Sequence, residues 1–509
     1  MILKVFLILV LISIISLTFK AYIEVENQNG HNNDPILTSS EFLKPESIEK
    51  QQDEDASTSE KLHLMRLPFR HGNEPRKHVL DSTIKDLVRI QTLHRKVIEK
   101  KNTNIMPREK DVVLASLKSS KDEFSGNNMM ATLVSGASLG TGEYFIDMFI
   151  GTPPKHVWLI LDTGSDLNWI QCVPCYDCFE QNGSYYDPKD SSSFKNISCR
   201  DPRCPLVSSL DRFDLCEDEN QTCPYFYDYA DGSNTTGDFS LETFNMNLTW
   251  PNGDEKMKRV VDIMFGCGHF NKGYFHGAYG LLGLGRGPLS FSSQLQSIYG
   301  HSFSYCLDDL FSNTSTSSKL IFGENKDLLD DPNLNFTTLL DEQESPNESF
   351  YYLKIKSIIV GGEMVDIPEQ IWNFSLEGDG GTIIDSGSTL TYFPSIAYDI
   401  IKDAFKEKIK LQPIYEVDFV MDTCYNVSGG KQVELPEFGI HFADGSVWNF
   451  PVENVFYPYE LNEVLCLAIL ETPHHSSTII GNLLQQNFHI LYDIKNYRLG
   501  YSPRRCAEV

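Results

Sequence analysis

Past its first twenty residues this chain of 509 has no long apolar run, and it has no hydrophobic C-terminal tail. The first absence leaves no second candidate for a membrane-spanning helix, which needs about 20 apolar residues. The second removes the signal for a lipid anchor. No Gly-rich loop ends in Lys-Ser/Thr; Gly283-Leu284-Gly285-Arg286-Gly287 has the glycines without that ending, so nucleotide binding is unsupported. The 13 histidines offer little: His269, His276, His474 and His475 are scattered, and no Ser-His-Asp or Cys-His arrangement stands out. Positive charge is scarce where most of the chain lies. Residues 131–509 hold 24 Lys and Arg against 52 Asp and Glu, while residues 1–130 hold 19 against 18, for a net charge of −27 overall. No basic stripe interrupts the acidic field, so nucleic acid is not an expected partner. The acidic excess serves solubility and, with equal weight, tolerance of acid, because carboxylates lose charge as pH falls. No cofactor and no resident metal are expected.

Cysteine is absent before position 172 and plentiful after it: Cys172, Cys175, Cys178, Cys199, Cys204, Cys216, Cys223, Cys267, Cys306, Cys424, Cys466 and Cys506. An apolar stretch from Val5 to Phe19, flanked by Lys4 and Lys20, is short for a membrane span and fits a signal peptide cut near Ala21, over residues 1–21. An uncleaved anchor is the rival reading. An even number of cysteines behind a signal peptide points to disulfides in an oxidising compartment. The spacing of Cys172, Cys175 and Cys178 also suits a metal, but no histidine cluster lies near and export favours oxidation. A thioredoxin-like role lacks its βαβ context. Ten Asn-X-Ser/Thr sites share this region: Asn182, Asn196, Asn220, Asn234, Asn247, Asn313, Asn335, Asn347, Asn373 and Asn426. Behind a signal peptide they imply a glycosylated protein of the secretory pathway, extracellular or vacuolar.

The most informative residues are Asp162 and Asp385. Each ends an apolar run in the same frame, Ile160-Leu161-Asp162-Thr163-Gly164-Ser165 and Ile383-Ile384-Asp385-Ser386-Gly387-Ser388. One copy is ordinary turn chemistry. Two copies point to two related lobes that each supply one carboxylate to a shared site. Two acids within hydrogen-bond reach cannot both ionise, so one stays charged to take a proton from water while the other keeps a proton to donate. Gly164 and Gly387 let backbone N–H groups approach each carboxylate. Ser165 and Ser388 can orient the outer oxygens.

With these frames the chain resembles the pepsin-type aspartic proteases, and more closely their plant nepenthesin-like branch, from about Gly142 to the C-terminus. Gly142-Glu143-Tyr144-Phe145 through Gly151-Thr152-Pro153-Pro154 resembles the opening strands. Trp169 lies seven residues after Asp162, where the family places an indole that bonds the flap tyrosine, and Tyr392 holds the same offset from Asp385. Tyr229-Ala230-Asp231-Gly232-Ser233 resembles the flap tip, with Tyr229 and Gly232 facing substrate. Leu281-Leu282-Gly283-Leu284-Gly285 and Ile479-Ile480-Gly481-Asn482 resemble the strands threaded through each catalytic loop, and Leu499-Gly500-Tyr501-Ser502-Pro503 the closing strand. Ala230 departs from the usual Gly, and Ser386 from the Thr of the animal enzymes, though the plant branch often has Ser there.

The resemblance implies a mostly β, bilobal fold: two related β lobes with a cleft between them, preceded by a partly helical prosegment. It implies an acid endopeptidase acting on protein or peptide, most simply as a monomer. Thr163 and Ser386 would bond across the lobe interface. It also implies the pairs Cys172–Cys175, Cys178–Cys267, Cys199–Cys223, Cys204–Cys216, Cys306–Cys506 and Cys424–Cys466.

Two other readings are open. Some plant proteins of this fold bind and inhibit other enzymes after losing catalytic residues, whereas here both acids, both glycines and the flap tyrosine remain. A glycosidase also pairs carboxylates, but without matched loops.

Along the chain, residues 22–135 read as a prosegment. Its polar stretch 22–60 has the composition of disorder. Residues 76–110 carry ten Lys and Arg against four Asp and Glu, with Leu80, Ile84, Leu87, Ile90 and Val97 near helical spacing. This basic helix is expected to lie against the acidic body, with the maturation cut between Lys121 and Ser138. Residues 136–330 form the first lobe, including a cysteine-rich insertion at 172–223. Residues 331–349 connect the lobes, and 350–509 form the second. A helix is expected over Ile396–Lys410, capped by Ser395, with Ile396, Ile400 and Ala404 on its core face beside Ala397, Ile401, Phe405 and Ile409.

Overall fold

The computed structural model describes Leu62–Arg66, Asp86 and residues 128–506, apart from 140, 208–215, 217, 230–231, 250–254, 311–317, 376–377, 415–420, 429–431, 461–462, 473–476 and 505. The signal peptide, the stretch 22–60 and most of the basic helix at 76–110 lie outside the described residues, as do Asn313 and the flap residues Ala230 and Asp231.

Short strands dominate because β-branched and aromatic residues alternate with polar ones between turns. Tyr144–Ile150 buries alternate side chains, with Ile146, Met148 and Ile150 fully covered. It pairs antiparallel with Lys155–Asp162, so the strand carrying the first frame is fixed in register, Phe145 opposite Ile160. Both lie in a 14-stranded sheet that draws strands from 128–338 and from 488–503.

That sheet crosses three expected boundaries. Asn128–Ser135 is a full member, between Ser318–Gly323 and Tyr144–Ile150. Part of the expected prosegment thus pairs within the sheet of the first lobe, and a maturation cut after Asn128 would remove part of a sheet strand. Phe488–Asp493 and Arg498–Pro503 belong to this sheet too, through the pairing of Phe488–Asp493 with Ser302–Cys306. The connection 331–349 contributes the edge strand Asn335–Thr338. Residues 350–480 build three smaller sheets, one of which carries the second frame on Thr382–Ile384. A further two-stranded pairing joins Leu62–Arg66 antiparallel to Gln432–Pro436.

The long helix spans Ser395–Lys408. Ser395 does not cap it; Pro394 holds the N-cap position without a side-chain bond, Ser395 is the first helical residue, and its hydroxyl bonds Glu471 instead. Its buried stripe is Ala397, Ile401 and Phe405 with Tyr398, while Ile396 is 54% exposed. The bulkier aromatic row, packed on Phe438 and Phe456, takes the core side.

All twelve cysteines are disulfide-bonded, so none offers a metal a free thiolate. Cys306–Cys506 and Cys424–Cys466 are the pairs the resemblance implied. The other four differ: Cys172–Cys267, Cys175–Cys178, Cys199–Cys216 and Cys204–Cys223. Strand register decides this. Trp169–Gln171 runs parallel to Glu255–Lys272, and the Cys172 amide donates to Gly268, which brings Cys172 to 5.4 Å from Cys267 between Cα atoms. Cys175 and Cys178 are left to close their own small loop. Cys204 and Cys223 are both buried, whereas Cys199 and Cys216 lie nearer solvent, so the inner and outer pairs separate by depth.

Among the sequons, Asn182, Asn196, Asn220, Asn335, Asn373 and Asn426 are exposed and Asn234 is half-buried. Asn347 is 4% exposed and its Oδ1 accepts from the Ser349 amide. A glycan on this buried side chain does not fit the folded chain, which removes Asn347 from the expected set. Among the described residues no helix is long and apolar enough to cross a membrane.

Candidate active site

Each acid sits where a strand stops and turns. In the first lobe, Gly280–Gly283 runs parallel to Lys155–Asp162 and antiparallel to Trp169–Gln171, passing through the loop between them. In the second, Thr478–Ile480 runs parallel to Thr382–Ile384 and antiparallel to Tyr392 in the same manner. The threading requires glycine. A Cβ at Gly283 would lie 2.4 Å from the Asp166 carbonyl carbon, and one at Gly481 would lie 2.0 Å from the Leu390 carbonyl oxygen.

The two frames make the same hydrogen bonds. Gly164 N donates to Asp162 Oδ1 at 2.9 Å, and Ser165 Oγ donates to Oδ2 at 2.6 Å. Gly387 N donates to Asp385 Oδ1 at 2.9 Å, and Ser388 Oγ donates to Oδ2 at 2.7 Å. Both carboxylates are buried, and both have oxygens held in plane by one amide and one hydroxyl.

The lobes are stitched together one residue after each acid. Thr163 N donates to Ser386 Oγ at 3.0 Å, and Ser386 N donates to Thr163 Oγ1 at 2.9 Å. Ser386 Oγ donates on to the Leu161 carbonyl at 3.1 Å. This reciprocal pair sets Asp162 and Asp385 at one seam although 223 residues separate them.

The flap follows from the same local chemistry. Pro224–Asp228 and Asn234–Thr249 form a hairpin, closed by Tyr229 N to Ser233 O at 2.8 Å, with Gly232 at φ +77°. Trp169 Nε1 donates to the Tyr229 hydroxyl at 2.6 Å. Burial, then Tyr227 and Asp162, push the Tyr229 phenol well above its ordinary value, so its proton stays on for bonding. The indole packs edge-on against Phe275 and Phe179. In the second lobe Tyr392 is fully buried, and its hydroxyl donates to Asp86 Oδ2 at 3.1 Å.

Sequence reading gave no role to four contributors. Asp166, directly after the first frame, accepts from Gly287 N at 2.9 Å and from the Ser349 hydroxyl, tying the first catalytic loop to the stretch that leads into the second lobe. Asn482 Nδ2 donates to the Ser386 carbonyl at 3.0 Å, and Gln485 Nε2 donates to the Asp385 carbonyl at 3.3 Å, bracing the second loop from below. Asp86 is one of four acids in a segment with ten basic residues, and nothing local marks it. Adjacency to each frame was the available signal for Asp166; nothing local marked Gln485.

A bilobal β fold with one carboxylate from each lobe, bonded alike at a common seam, defines the pepsin-like class. Residues 144–324 match the family model described as xylanase inhibitor N-terminal, and residues 350–503 match xylanase inhibitor C-terminal. The chain is 38% identical to aspartyl protease family protein 2 of Arabidopsis thaliana over 381 residues, covering 74% of each chain. It is 38% identical to aspartic proteinase nepenthesin-2 of Nepenthes gracilis over 371 residues, covering 72% of this chain and 79% of that one. Among solved structures, edgp superposes with a TM-score of 0.62 at 20% identity, over 76% of this chain and 98% of that one. Conglutin gamma, a basic 7S globulin from lupine seeds, superposes with a TM-score of 0.59 at 20% identity, over 75% and 98%. These two likenesses show the fold alone. The chain belongs to the plant pepsin-like aspartic protease family and is an aspartic-type endopeptidase.

Proposed function

We propose that Asp162 and Asp385 hydrolyse peptide bonds at acidic pH through one water held between them. The observation that carries this reading is the matched pair of frames, each carboxylate bonded by its own glycine amide and serine hydroxyl. Because the two environments are alike, repulsion between the charges is what splits their proton affinities, and the pair titrates as a unit. The ionised member takes a proton from the water. The protonated member donates to the peptide carbonyl oxygen as the water adds. The tetrahedral intermediate is noncovalent, and its collapse returns a proton to the leaving amine.

Tyr229 closes over an extended peptide, steadied by Trp169. The Thr163–Ser386 pair keeps the acids in register, which matters because a small misplacement of reacting groups costs much of the rate. The protein is made with a signal peptide and prosegment, glycosylated at exposed sequons, and matured in the apoplast or vacuole as a monomer.

The test is hydrolysis of acid-denatured globin by the matured protein. Activity is expected on the acid side of neutrality, with a bell-shaped profile and inhibition by a pepstatin-like transition-state mimic. Activity insensitive to such a mimic would refute the mechanism.

A further inference from the structure

The proposed reaction makes no use of Asp86. Its carboxylate is 1% exposed and lies against the second catalytic loop, about 300 residues away along the chain. One oxygen, Oδ2, accepts three hydrogen bonds there: from the Thr389 amide at 2.9 Å, the Leu390 amide at 3.0 Å and the Tyr392 hydroxyl at 3.1 Å. These donors follow directly on Asp385-Ser386-Gly387-Ser388.

We propose that the Thr389 and Leu390 amides and the Tyr392 hydroxyl form a carboxylate-binding site, and that its occupant is Asp86 of the chain's own N-terminal segment, held there until maturation.

The donors of this site lie on a tightly packed loop. Leu390 is fully buried, and its carbonyl lies against the threaded glycine, where a Cβ at Gly481 would come within 2.0 Å. Thr389 packs so closely on Gly142 that a Cβ there would lie 2.2 Å from its methyl group. The loop therefore cannot relax to satisfy its amides elsewhere, and a carboxylate supplies the charge-assisted acceptor. Tyr392 holds in its lobe the offset that Trp169 holds in the other. Trp169 presents its polar tip to the flap tyrosine, and Tyr392 presents its own to Asp86. Asp86 thus stands to the second catalytic loop as the flap stands to the first. A second described piece of the same region, Leu62–Arg66, pairs with Gln432–Pro436 of the second half, so the segment is attached at two separate points.

Recognition at this site is then by a specific acid on the segment. The inhibitory consequence rests on the proposed protease function; the docking site itself does not.

The test uses full-length protein carrying Asp86→Ala or Asp86→Asn. Backbone amide exchange is followed at Thr389 and Leu390, and peptide hydrolysis is timed after acidification. Exchange at both amides is expected to rise at least tenfold in Asp86→Ala and less in Asp86→Asn, whose amide oxygen still accepts. Exchange in Ser302–Cys306 should not change, and hydrolysis should begin with a shorter lag. Unaltered exchange at both positions in Asp86→Ala would overturn the proposal. If that variant does not fold, Asp86→Asn decides: raised exchange supports the site and unchanged exchange refutes it. Raised exchange with no hydrolysis by any form, wild type included, upholds the docking site and refutes the protease reading instead.

Discussion

His489 makes the protein weaker in acid, and replacing it should flatten part of that dependence. The side chain lies on Phe488–Asp493 in the shared sheet and is 1% exposed. Its Nε2 meets Ser304 Oγ at 3.2 Å and Asn325 Nδ2 at 3.5 Å, while Nδ1 has no hydrogen-bond partner. Burial first, and Arg504 second, push its pKa down from 6.5 to about 4, with Asp331 opposing them. Above pH 6.5 the ring is neutral in both folded and unfolded chains and adds no pH dependence. Between 6.5 and about 4 the unfolded chain binds a proton that the folded chain refuses, so stability falls as pH falls. The gap corresponds to about 3 kcal/mol at pH 4, taking about 1.4 kcal/mol for each pH interval of one. The assay is urea unfolding of wild type and His489→Gln at pH 7 and pH 4 with disulfides intact. Every other titrating group is common to both proteins and cancels in the comparison. Wild type should lose about 3 kcal/mol more than the variant over this range. Parallel losses would refute the reasoning.

Trp169→Phe removes the donor to Tyr229 but keeps the aromatic packing; kcat/KM on a peptide should fall about fivefold with the melting temperature little changed, as one hydrogen bond is worth about 1 kcal/mol. Gly481→Ala places a Cβ 2.0 Å from the Leu390 carbonyl, so expression of folded protein should drop sharply, as read by soluble yield and near-UV dichroism. Removing Cys306–Cys506, which spans 200 residues, should destabilise more than removing Cys175–Cys178, which spans 3. Loop-closure entropy puts the difference at about 4 kcal/mol, measured by denaturant unfolding of each Ser-Ser variant.

The parts of the site legible in the sequence were those written locally. Asp162, Thr163, Gly164 and Ser165 repeat as Asp385, Ser386, Gly387 and Ser388, and the bonds within each frame span two or three residues, so the repeat carries the geometry with it. The Trp169–Tyr229 contact was legible through the resemblance, which places an indole seven residues after the first acid to bond the flap tyrosine. What depended on register was not legible. Cys172 pairs with Cys267 because two strands 95 residues apart align one way and not another, and spacing holds no trace of that. The return of Arg498–Pro503 to the first-lobe sheet, and the membership of Asn128–Ser135, likewise arise from edge pairing between distant strands. Asp86 was invisible for a further reason: composition made its segment look cationic, while the contact that counts is a single carboxylate meeting backbone amides.

Asp385→Asn is isosteric and leaves an acceptor for Gly387 N, so the fold survives while the shared proton is lost. Globin hydrolysis at acidic pH by this variant and by wild type, each matured and matched for concentration, is therefore the decisive comparison. A fall of at least about a thousandfold in kcat is predicted, in the range expected when an essential acid–base group is removed. Turnover equal to wild type would show that the paired carboxylates do not carry the reaction.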